Sequence, residues 1–304
     1  MPKTTIPQQE LMYSGHAACP GCGAALVMRY LLKGVGEKTV MTIPACCWAI
    51  ISGPFPRTVL KIPVLDNAFE ATGASISGLR AALDAQGVKD VTVVGFAGDG
   101  GTADIGIQAL SGMIERNTDA IYVMYDNEAY MNTGIQRSSS TPFGAWTTTT
   151  PAEAEGTWKL EPKKSMLAIT VAHKIPYVAT VSIGYPEDFV RKVEKAKAIK
   201  GPRFIHAFSP CPPGWKYSPE QTIKLSRMGV DTGIFPLLEV ENGVYKVSRK
   251  PSKRTPVKDY FALQGRFRHL PDAVVAEIQA NTDKAWENLM AIEEFSKTHP
   301  WCTF

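Results

Sequence analysis

The stretch Val91-Thr-Val-Val-Gly-Phe-Ala97 is an apolar run that leads directly into Gly98-Asp-Gly-Gly101. Apolar side chains recur at helical spacing over residues 105–116, which predicts a helix after this glycine turn. Residues 120–125 form a second apolar run that suits a buried parallel strand and ends at Asp126-Asn127. This order predicts a strand–helix–strand unit of a parallel sheet.

Asp99 and Asn127 each follow a predicted strand of this unit. The carboxyl ends of parallel strands share one edge of an open α/β sheet, where ligands bind. A carboxylate, an amide oxygen and a nearby main-chain carbonyl would make an oxygen site suited to Mg²⁺, which shares its shell with phosphates. A tight turn with a solvated Asp99 is the alternative, and the asparagine after the next strand argues against it.

Strands and helices alternate along most of the chain, which predicts an α/β fold with a mostly parallel sheet and helices on both faces. Residues 236–304, with a hairpin around Glu241-Asn-Gly243, are expected to pack on a domain formed by residues 1–235. Residues 1–14 are expected to form an extended arm on a partner subunit, and residues 132–151 a long polar loop. Further elements are predicted as strands at 39–43, 177–181 and 202–208, and as helices within 19–32 and at 68–86, 165–173, 186–199 and 271–296.

The composition of the 304 residues, 44% hydrophobic and 20% charged, is that of a globular protein with a large core. The net charge of +4 is modest and the basic residues are scattered, which argues against nucleic-acid binding. No apolar run approaches the ~20 residues of a membrane span, and a secretory signal is not expected. We therefore expect a cytoplasmic protein that binds no nucleic acid and spans no membrane.

The cysteines favour metal or redox chemistry over a disulfide framework. They are Cys19, Cys22, Cys46, Cys47, Cys211 and Cys302. The first two form a CxxC turn, and the adjacent pair and Cys211 follow predicted strands, so four thiols could form one site. Zinc and a [4Fe–4S] cluster both accept such a set, and a redox-active dithiol is a third interpretation. Simple burial in the core would explain Cys302 and one of the adjacent pair, but not the CxxC turn.

The Gly-Asp-Gly … Asn pattern resembles that of enzymes that use thiamine diphosphate. The resemblance implies that the side chains of Asp99 and Asn127, with the carbonyl of Ala129, hold the Mg²⁺ that clamps the diphosphate. It also makes the glycines of the turn candidates for cofactor binding, namely Gly98, Gly100 and Gly101.

Three separated motifs make the resemblance specific. They are Gly15-His-Ala-Ala-Cys-Pro-Gly-Cys-Gly23, Gly98-Asp-Gly-Gly-Thr-Ala-Asp-Ile-Gly106 and Asp126-Asn-Glu-Ala-Tyr-Met-Asn-Thr-Gly134. Together they look like the β subunits of 2-oxoacid:ferredoxin oxidoreductases, and Leu263-Gln-Gly-Arg-Phe-Arg268 is similar to the pyruvate branch. The likeness implies a thiamine diphosphate-binding fold with a [4Fe–4S] cluster near the cofactor. The implied cluster ligands are Cys19, Cys22, Cys211 and, from the spacing to Pro54-Phe-Pro56, Cys47.

Three other residues have two interpretations each. Asn132 matches the family residue that reaches the substrate and the aminopyrimidine of thiamine, and the alternative is an amide that stabilises its loop. Thr102 could hydrogen-bond the diphosphate or only support the turn. His16 could line the cofactor cavity or cap the CxxC turn.

The resemblance implies oxidative decarboxylation of a small 2-oxoacid, with electrons passing one at a time through the cluster to ferredoxin. No glutamate of the chain is placed convincingly to activate thiamine, and Glu70 is the nearest by sequence. An α subunit is therefore expected to supply that glutamate, with further γ- or δ-type subunits carrying electrons away. Pyruvate and oxalate are predicted about equally, because Cys46-Cys-Trp48 and Leu65-Asp-Asn67 depart from the pyruvate pattern. Longer or branched oxoacids rank behind these two. Coenzyme A would be needed for pyruvate but not for oxalate.

Two other functions stay open from the sequence. The chain could be a zinc-stabilised, non-catalytic assembly subunit with an inert Gly-Asp-Gly turn. It could also be a subunit of a non-redox thiamine-dependent decarboxylase, which would contain no iron.

Overall fold

A computed structural model describes residues 5–154 and 156–301 of the chain. The strands are β1 Thr39–Pro44, β2 Val64–Asn67, β3 Thr92–Gly98, β4 Ala120–Asp126, β5 Tyr177–Ser182, β6 Pro202–Phe208, β7 Leu238–Glu241 and β8 Val244–Val247. They form one sheet in the order β2-β1-β3-β4-β6-β5-β7-β8. The first six in this order are parallel, and β7 and β8 extend the sheet as an antiparallel hairpin.

Helices cover both faces of this sheet. They are α1 Gly23–Val35, α2 Cys47–Ile51, α3 Thr72–Ala85, α4 Ile107–Glu115, α5 Met166–Ala172, α6 Pro186–Ala198, α7 Pro212–Trp215, α8 Thr222–Asp231, α9 Val257–Ala262 and α10 Asp272–Ser296. Val27 of α1 and Phe189 of α6 belong to the core on one face, whereas Ile76 of α3 and Leu110 of α4 belong to the core on the other. Every residue of β4 and β6 is buried as a result. The predicted α/β class is confirmed.

The order of the strands places a crevice at the centre of the sheet. β1 and β3 are neighbours, but the chain continues from β1 to β2 on one side and from β3 to β4 on the other. Such a reversal opens a crevice beyond the carboxyl ends of the two strands. Ala45 follows β1, Asp99 follows β3 and Asn127 follows β4, so all three lie at this edge.

The predicted elements are present with shifted boundaries. A short π-helix, Gly100–Asp104, separates β3 from α4, so the α-helix begins at Ile107 and not at residue 105. The spacing of apolar residues does not distinguish a single π turn from an α turn, which explains the difference. Strand β2 and the helices α2, α7, α8 and α9 are present in addition to the predicted elements. Residues 132–151 form no helix or strand in the part that the structure describes, as predicted.

The N-terminal arm packs on its own chain around Leu11 and Tyr13, and its contact with a partner subunit stays a prediction. Leu11 is buried in the core, and the Tyr13 amide donates a hydrogen bond to the Val59 carbonyl. The Lys61 amide donates to the Leu11 carbonyl, which fixes the arm from the other side. Residues 1–4 and Cys302 lie outside the described residues.

The C-terminal part continues the same layers. β7 pairs with β5, and α10 packs on β8 and on the core through Trp286. The division into residues 1–235 and 236–304 stays a prediction. Among the described helices, none has the length and apolar character needed to cross a bilayer.

Candidate active site

A cavity of about 180 Å³ lies at the carboxyl ends of β1, β3 and β4. Phe69 and Tyr130 form part of its wall, in edge contact with each other at 5.8 Å between ring centroids. The cavity is lined by predicted site residues from the two motifs that follow β3 and β4. These are Gly98, Asp99, Gly100, Gly101, Asn127, Ala129 and Asn132.

Asp99, Asn127 and Ala129 converge in this cavity. One terminal atom of the Asn127 amide lies 2.9 Å from Asp99 Oδ1 and 2.9 Å from the Ala129 carbonyl oxygen. With nitrogen in that position, the amide donates a hydrogen bond to both oxygens. With the amide oxygen in that position, Asn127, Asp99 and Ala129 present three oxygen atoms close together. Neighbouring ligands of an octahedral Mg²⁺, with Mg–O bonds of 2.0–2.1 Å, lie about 2.9 Å apart, so this separation fits the ion.

The Asp99 carboxylate is buried in a way that favours a bound cation. Its residue is 1% exposed, and the Ser138 hydroxyl donates a hydrogen bond of 2.5 Å to Oδ2. Burial, and next the negative charge of Asp126, raise the pKa of Asp99 well above its ordinary value. A divalent cation beside a buried carboxylate offsets this cost. The donor set therefore fits magnesium on both distance and charge.

The π-helical turn is packed too closely for a side chain at Gly100. A Cβ on Gly100 would lie 2.2 Å from Cε1 of Tyr130. Thr102 lies beneath the turn and is fully buried, and its hydroxyl donates to the Gly98 carbonyl at 2.8 Å. Thr102 is not among the residues that line the cavity. Its position supports the turn-stabilising interpretation and not the predicted contact with the diphosphate.

The polar loop places hydroxyl groups against carboxylates and a carbonyl near the ends of β3 and β4. The Ser140 hydroxyl donates to Asp126 Oδ2 at 2.9 Å, and Ser139 bonds to Asp104. The Thr141 hydroxyl donates to the Glu128 carbonyl at 2.7 Å. These roles are not predictable from the sequence, because a run of serines and threonines has no spacing that identifies its partners.

Asp126 is the centre of a buried charged network. His206 Nε2 and Lys163 Nζ each lie 2.6 Å from Asp126 Oδ2. Lys163 also lies 2.7 Å from Glu128, which Arg266 reaches from the other side at 2.6 Å. Burial raises the pKa of Asp126, but Lys163 and the hydrogen bond to His206 outweigh it and hold the pKa below its ordinary value. His206 is a residue of β6, as predicted.

The predicted cluster ligands line one further cavity, of about 290 Å³. Cys19 and Cys22 come from the CxxC turn before α1, Cys47 from the start of α2, and Cys211 from the loop after β6. Four residues line both this cavity and the first one, so the two adjoin. They are Cys47, Asn127, Met131 and Asn132.

The four thiols line one cavity but are not close enough together to coordinate a metal ion in this arrangement. Among residues 5–154 and 156–301, no three His, Cys, Asp or Glu side chains come together closely enough to hold a metal ion. Burial raises the pKa of Cys47 and of Cys211 to about 12 in this arrangement. Cys46 lines the first cavity beside Tyr125 and does not line the second. Cys47 is therefore the one of the adjacent pair that faces the other cysteines.

His16 and Glu70 lie away from the first cavity. His16 lines a separate surface pocket with Cys19 and Cys22, and its Nδ1 accepts a hydrogen bond from the Ala18 amide. This position agrees with the capping interpretation and not with the predicted cofactor contact. Glu70 is exposed, and the described residues that line the first cavity include no glutamate.

Comparisons with known proteins agree with this geometry. Residues 57–207 match the C-terminal TPP-binding domain of thiamine pyrophosphate enzymes. The chain is 51% identical to the ketoisovalerate oxidoreductase subunit VorB of Pyrococcus furiosus over 299 residues, which cover 96% of each chain. It is 50% identical to the pyruvate synthase subunit PorB of Methanocaldococcus jannaschii, over 92% of this chain and 96% of that one. The chain belongs to the β subunits of 2-oxoacid:ferredoxin oxidoreductases.

Two other matches are less similar in sequence. The pyruvate synthase subunit PorB of Thermotoga maritima is 42% identical over 94% of this chain and 93% of its own. A solved structure of a 2-oxoglutarate:ferredoxin oxidoreductase from Magnetococcus marinus superposes with a TM-score of 0.57 and 20% identity, over 73% of this chain and 82% of that one. At this identity, the second likeness shows a shared fold alone.

Proposed function

We propose that this β subunit binds thiamine diphosphate and Mg²⁺ in the first cavity and a [4Fe–4S] cluster in the second. The single observation that carries the proposal is the shared wall between an oxygen-lined and a cysteine-lined cavity. Bound thiamine diphosphate supplies the electron sink for decarboxylation of a 2-oxoacid, and a bound cluster accepts electrons one at a time. The adjoining cavities give electrons a short path between the two.

The residues of the chain have separate tasks in this proposal. Asp99, Asn127 and the Ala129 carbonyl would hold Mg²⁺. Gly100 and Gly101 line the cavity without side chains, which leaves the backbone of the turn open to the diphosphate. Asn132 is exposed and lines both cavities, which suits a side chain that orients the substrate. The four cysteines Cys19, Cys22, Cys47 and Cys211 would ligate the cluster as thiolates.

The described lining of the first cavity lacks a group that thiamine chemistry needs, and a partner subunit would supply it. A carboxylate must bond the aminopyrimidine of thiamine, and the described lining contains no glutamate. We propose that an α subunit supplies this group and closes the cavity, and that γ- or δ-type subunits pass electrons to ferredoxin. The relatives support a multi-subunit enzyme, because each is named as a subunit.

The proposed substrate is a small 2-oxoacid. Pyruvate synthase and ketoisovalerate oxidoreductase subunits are similar to this chain at 50% and 51% identity, so a branched acid joins pyruvate as a candidate. Oxalate stays a candidate because Cys46, part of the segment that departs from the pyruvate pattern, lines the cofactor cavity.

The test is an assay of the complex purified without oxygen. Iron, sulfide and thiamine diphosphate should all be present, and ferredoxin reduction is measured with pyruvate, ketoisovalerate and oxalate, each with and without coenzyme A. Activity with one acid identifies the substrate, and independence of coenzyme A identifies oxalate. Stoichiometric zinc without iron would instead show the assembly subunit, and thiamine diphosphate without iron the non-redox decarboxylase.

A further inference from the structure

The segment that carries two of the proposed magnesium ligands has an unusual backbone. Glu128 stands between Asn127 and Ala129 and has a φ of +68°, in the left-handed region. Non-glycine residues adopt this conformation when the surrounding structure imposes it. The turn at Glu128 brings the Asn127 side chain and the Ala129 carbonyl to within 2.9 Å of each other. Whatever holds Glu128 therefore also sets the metal site.

Arg266 holds the Glu128 side chain. Its Nη2 donates to Glu128 Oε2 at 2.6 Å, and both side chains are 3% exposed. Arg266 comes from the short 3₁₀ turn Gly265–Phe267, far from Glu128 in sequence. A charged hydrogen bond between two buried groups is strongly directional, so it fixes the position of the carboxylate.

Arg266 also reaches Asn127 through Trp215. The guanidinium lies 3.8 Å above the Trp215 ring, whose Nε1 donates to the Asn127 carbonyl at 2.8 Å. Gln264 Oε1 accepts a hydrogen bond from Arg266 Nε at 3.0 Å, which fixes the guanidinium plane. One arginine thus supports the backbone on both sides of the metal-binding turn.

We propose that Arg266 is a positioning residue for the magnesium ion and, through it, for the diphosphate. This inference rests on the proposed function. Arg266 does not line the cofactor cavity and touches no proposed ligand directly. It acts by keeping Asn127 and Ala129 turned toward Asp99 before the ion arrives. Loss of such outer partners typically weakens metal affinity 10- to 100-fold.

The experiment measures thiamine diphosphate binding against Mg²⁺ concentration in the purified complex, by calorimetry. Arg266→Gln should raise the Mg²⁺ concentration for half-maximal binding by about tenfold or more, and saturating Mg²⁺ should restore binding because the ligands are intact. Arg266→Lys keeps the charge but not the planar guanidinium, so its Mg²⁺ requirement should lie between those of Arg266→Gln and wild type. The exposed Arg268→Gln is the matched control and should bind as wild type does.

A second variant keeps the inference testable if Arg266→Gln does not fold. Trp215→Phe retains a ring beneath the guanidinium but removes the N–H that bonds Asn127, and it should also raise the Mg²⁺ requirement. An unchanged Mg²⁺ dependence in the folded variants overturns the inference, as does weaker binding that excess Mg²⁺ does not restore. A wild-type complex without Mg²⁺-dependent binding would refute the proposed function itself, which is a different result.

Discussion

The side-chain amide of Asn127 lies 2.9 Å from the carboxylate of Asp99, although the two residues follow different strands. The register of β3 and β4 sets this proximity, because Gly98 is paired with Tyr125. A slip of one residue would turn alternate side chains to the opposite face of the sheet. The proposed metal site thus depends on pairing within the sheet.

Replacement of Asp99 by Ala should abolish the retention of thiamine diphosphate while leaving the iron content unchanged. The variant removes a direct ligand, so the loss should exceed the 10- to 100-fold cost of losing an outer partner. Cofactor and iron are measured on the same anaerobic preparation. Asp90→Ala is the control, since Asp90 is exposed and pairs with exposed Lys38. Tight cofactor binding by Asp99→Ala would show that the magnesium assignment is wrong.

Serine substitutions of the adjacent cysteines should have opposite outcomes. Cys47→Ser should lower the iron and sulfide content, because Cys47 lines the cavity with the other three cysteines. Cys46→Ser should keep both, because Cys46 faces only the cofactor cavity. Iron analysis and electron paramagnetic resonance of the reduced protein measure the difference. Loss of the cluster in Cys46→Ser alone would reverse the ligand assignment.

Replacement of Gly100 by Ala should destabilise the fold and displace Tyr130 from the cavity wall. The added methyl would lie 2.2 Å from the Tyr130 ring, and overpacking of this kind costs about 1–3 kcal/mol. Gly78→Ala is the matched control. Gly78 lies in α3 with open space around it, so alanine there should stabilise by about 0.5–1 kcal/mol. Denaturant unfolding compares the two, and equal stabilities would contradict the packing at Gly100.

The stabilising effect of Glu239 should depend on pH. Burial raises the pKa of Glu239, but hydrogen bonds from Lys195, Tyr177 and Arg191 outweigh it and lower the pKa from 4.5 to about 2. A carboxyl with a lowered pKa stabilises the fold above its unfolded pKa and loses this effect as the pH falls through the folded one. Glu239→Gln should therefore lower the free energy of unfolding by about 3 kcal/mol near neutral pH, with the difference from wild type shrinking between pH 4.5 and about 2.

The exposed neighbour Glu241 provides the control for this pH series. Glu241 pairs with the same Lys195 at 2.7 Å but is 46% exposed. Glu241→Gln should cost less than about 1 kcal/mol at any pH, because solvent screens exposed pairs. A constant difference between wild type and Glu239→Gln from pH 7 to pH 2 would contradict the predicted titration.

The sequence was informative where local pattern and chain order determine position. Asp99 and Asn127 were predicted together because both follow apolar strands, and the parallel fold brings such ends to one edge. The roles of Lys163 and Arg266 were not predictable, because they reach Asp126 and Glu128 across the fold and no spacing connects them. His16 was ambiguous for a similar reason, since proximity to the CxxC motif did not decide which side it faces.

The choice between Cys46 and Cys47 is another case that the sequence alone does not decide. The two are adjacent, and the resemblance favoured Cys47 through spacing to a distant motif. Only the backbone at the end of β1 determines which thiol turns toward the other cysteines. The structure places Cys47 there.

Met131 and Asn132 belong to the walls of both cavities, so a single layer of side chains separates the first cavity from the second. A mutation of Met131 or Asn132 changes the volume of both cavities at once. New substrate preferences can therefore evolve more freely at residues that line the first cavity but not the second, such as Phe69. The shared layer would be the slowest part of the site to diverge.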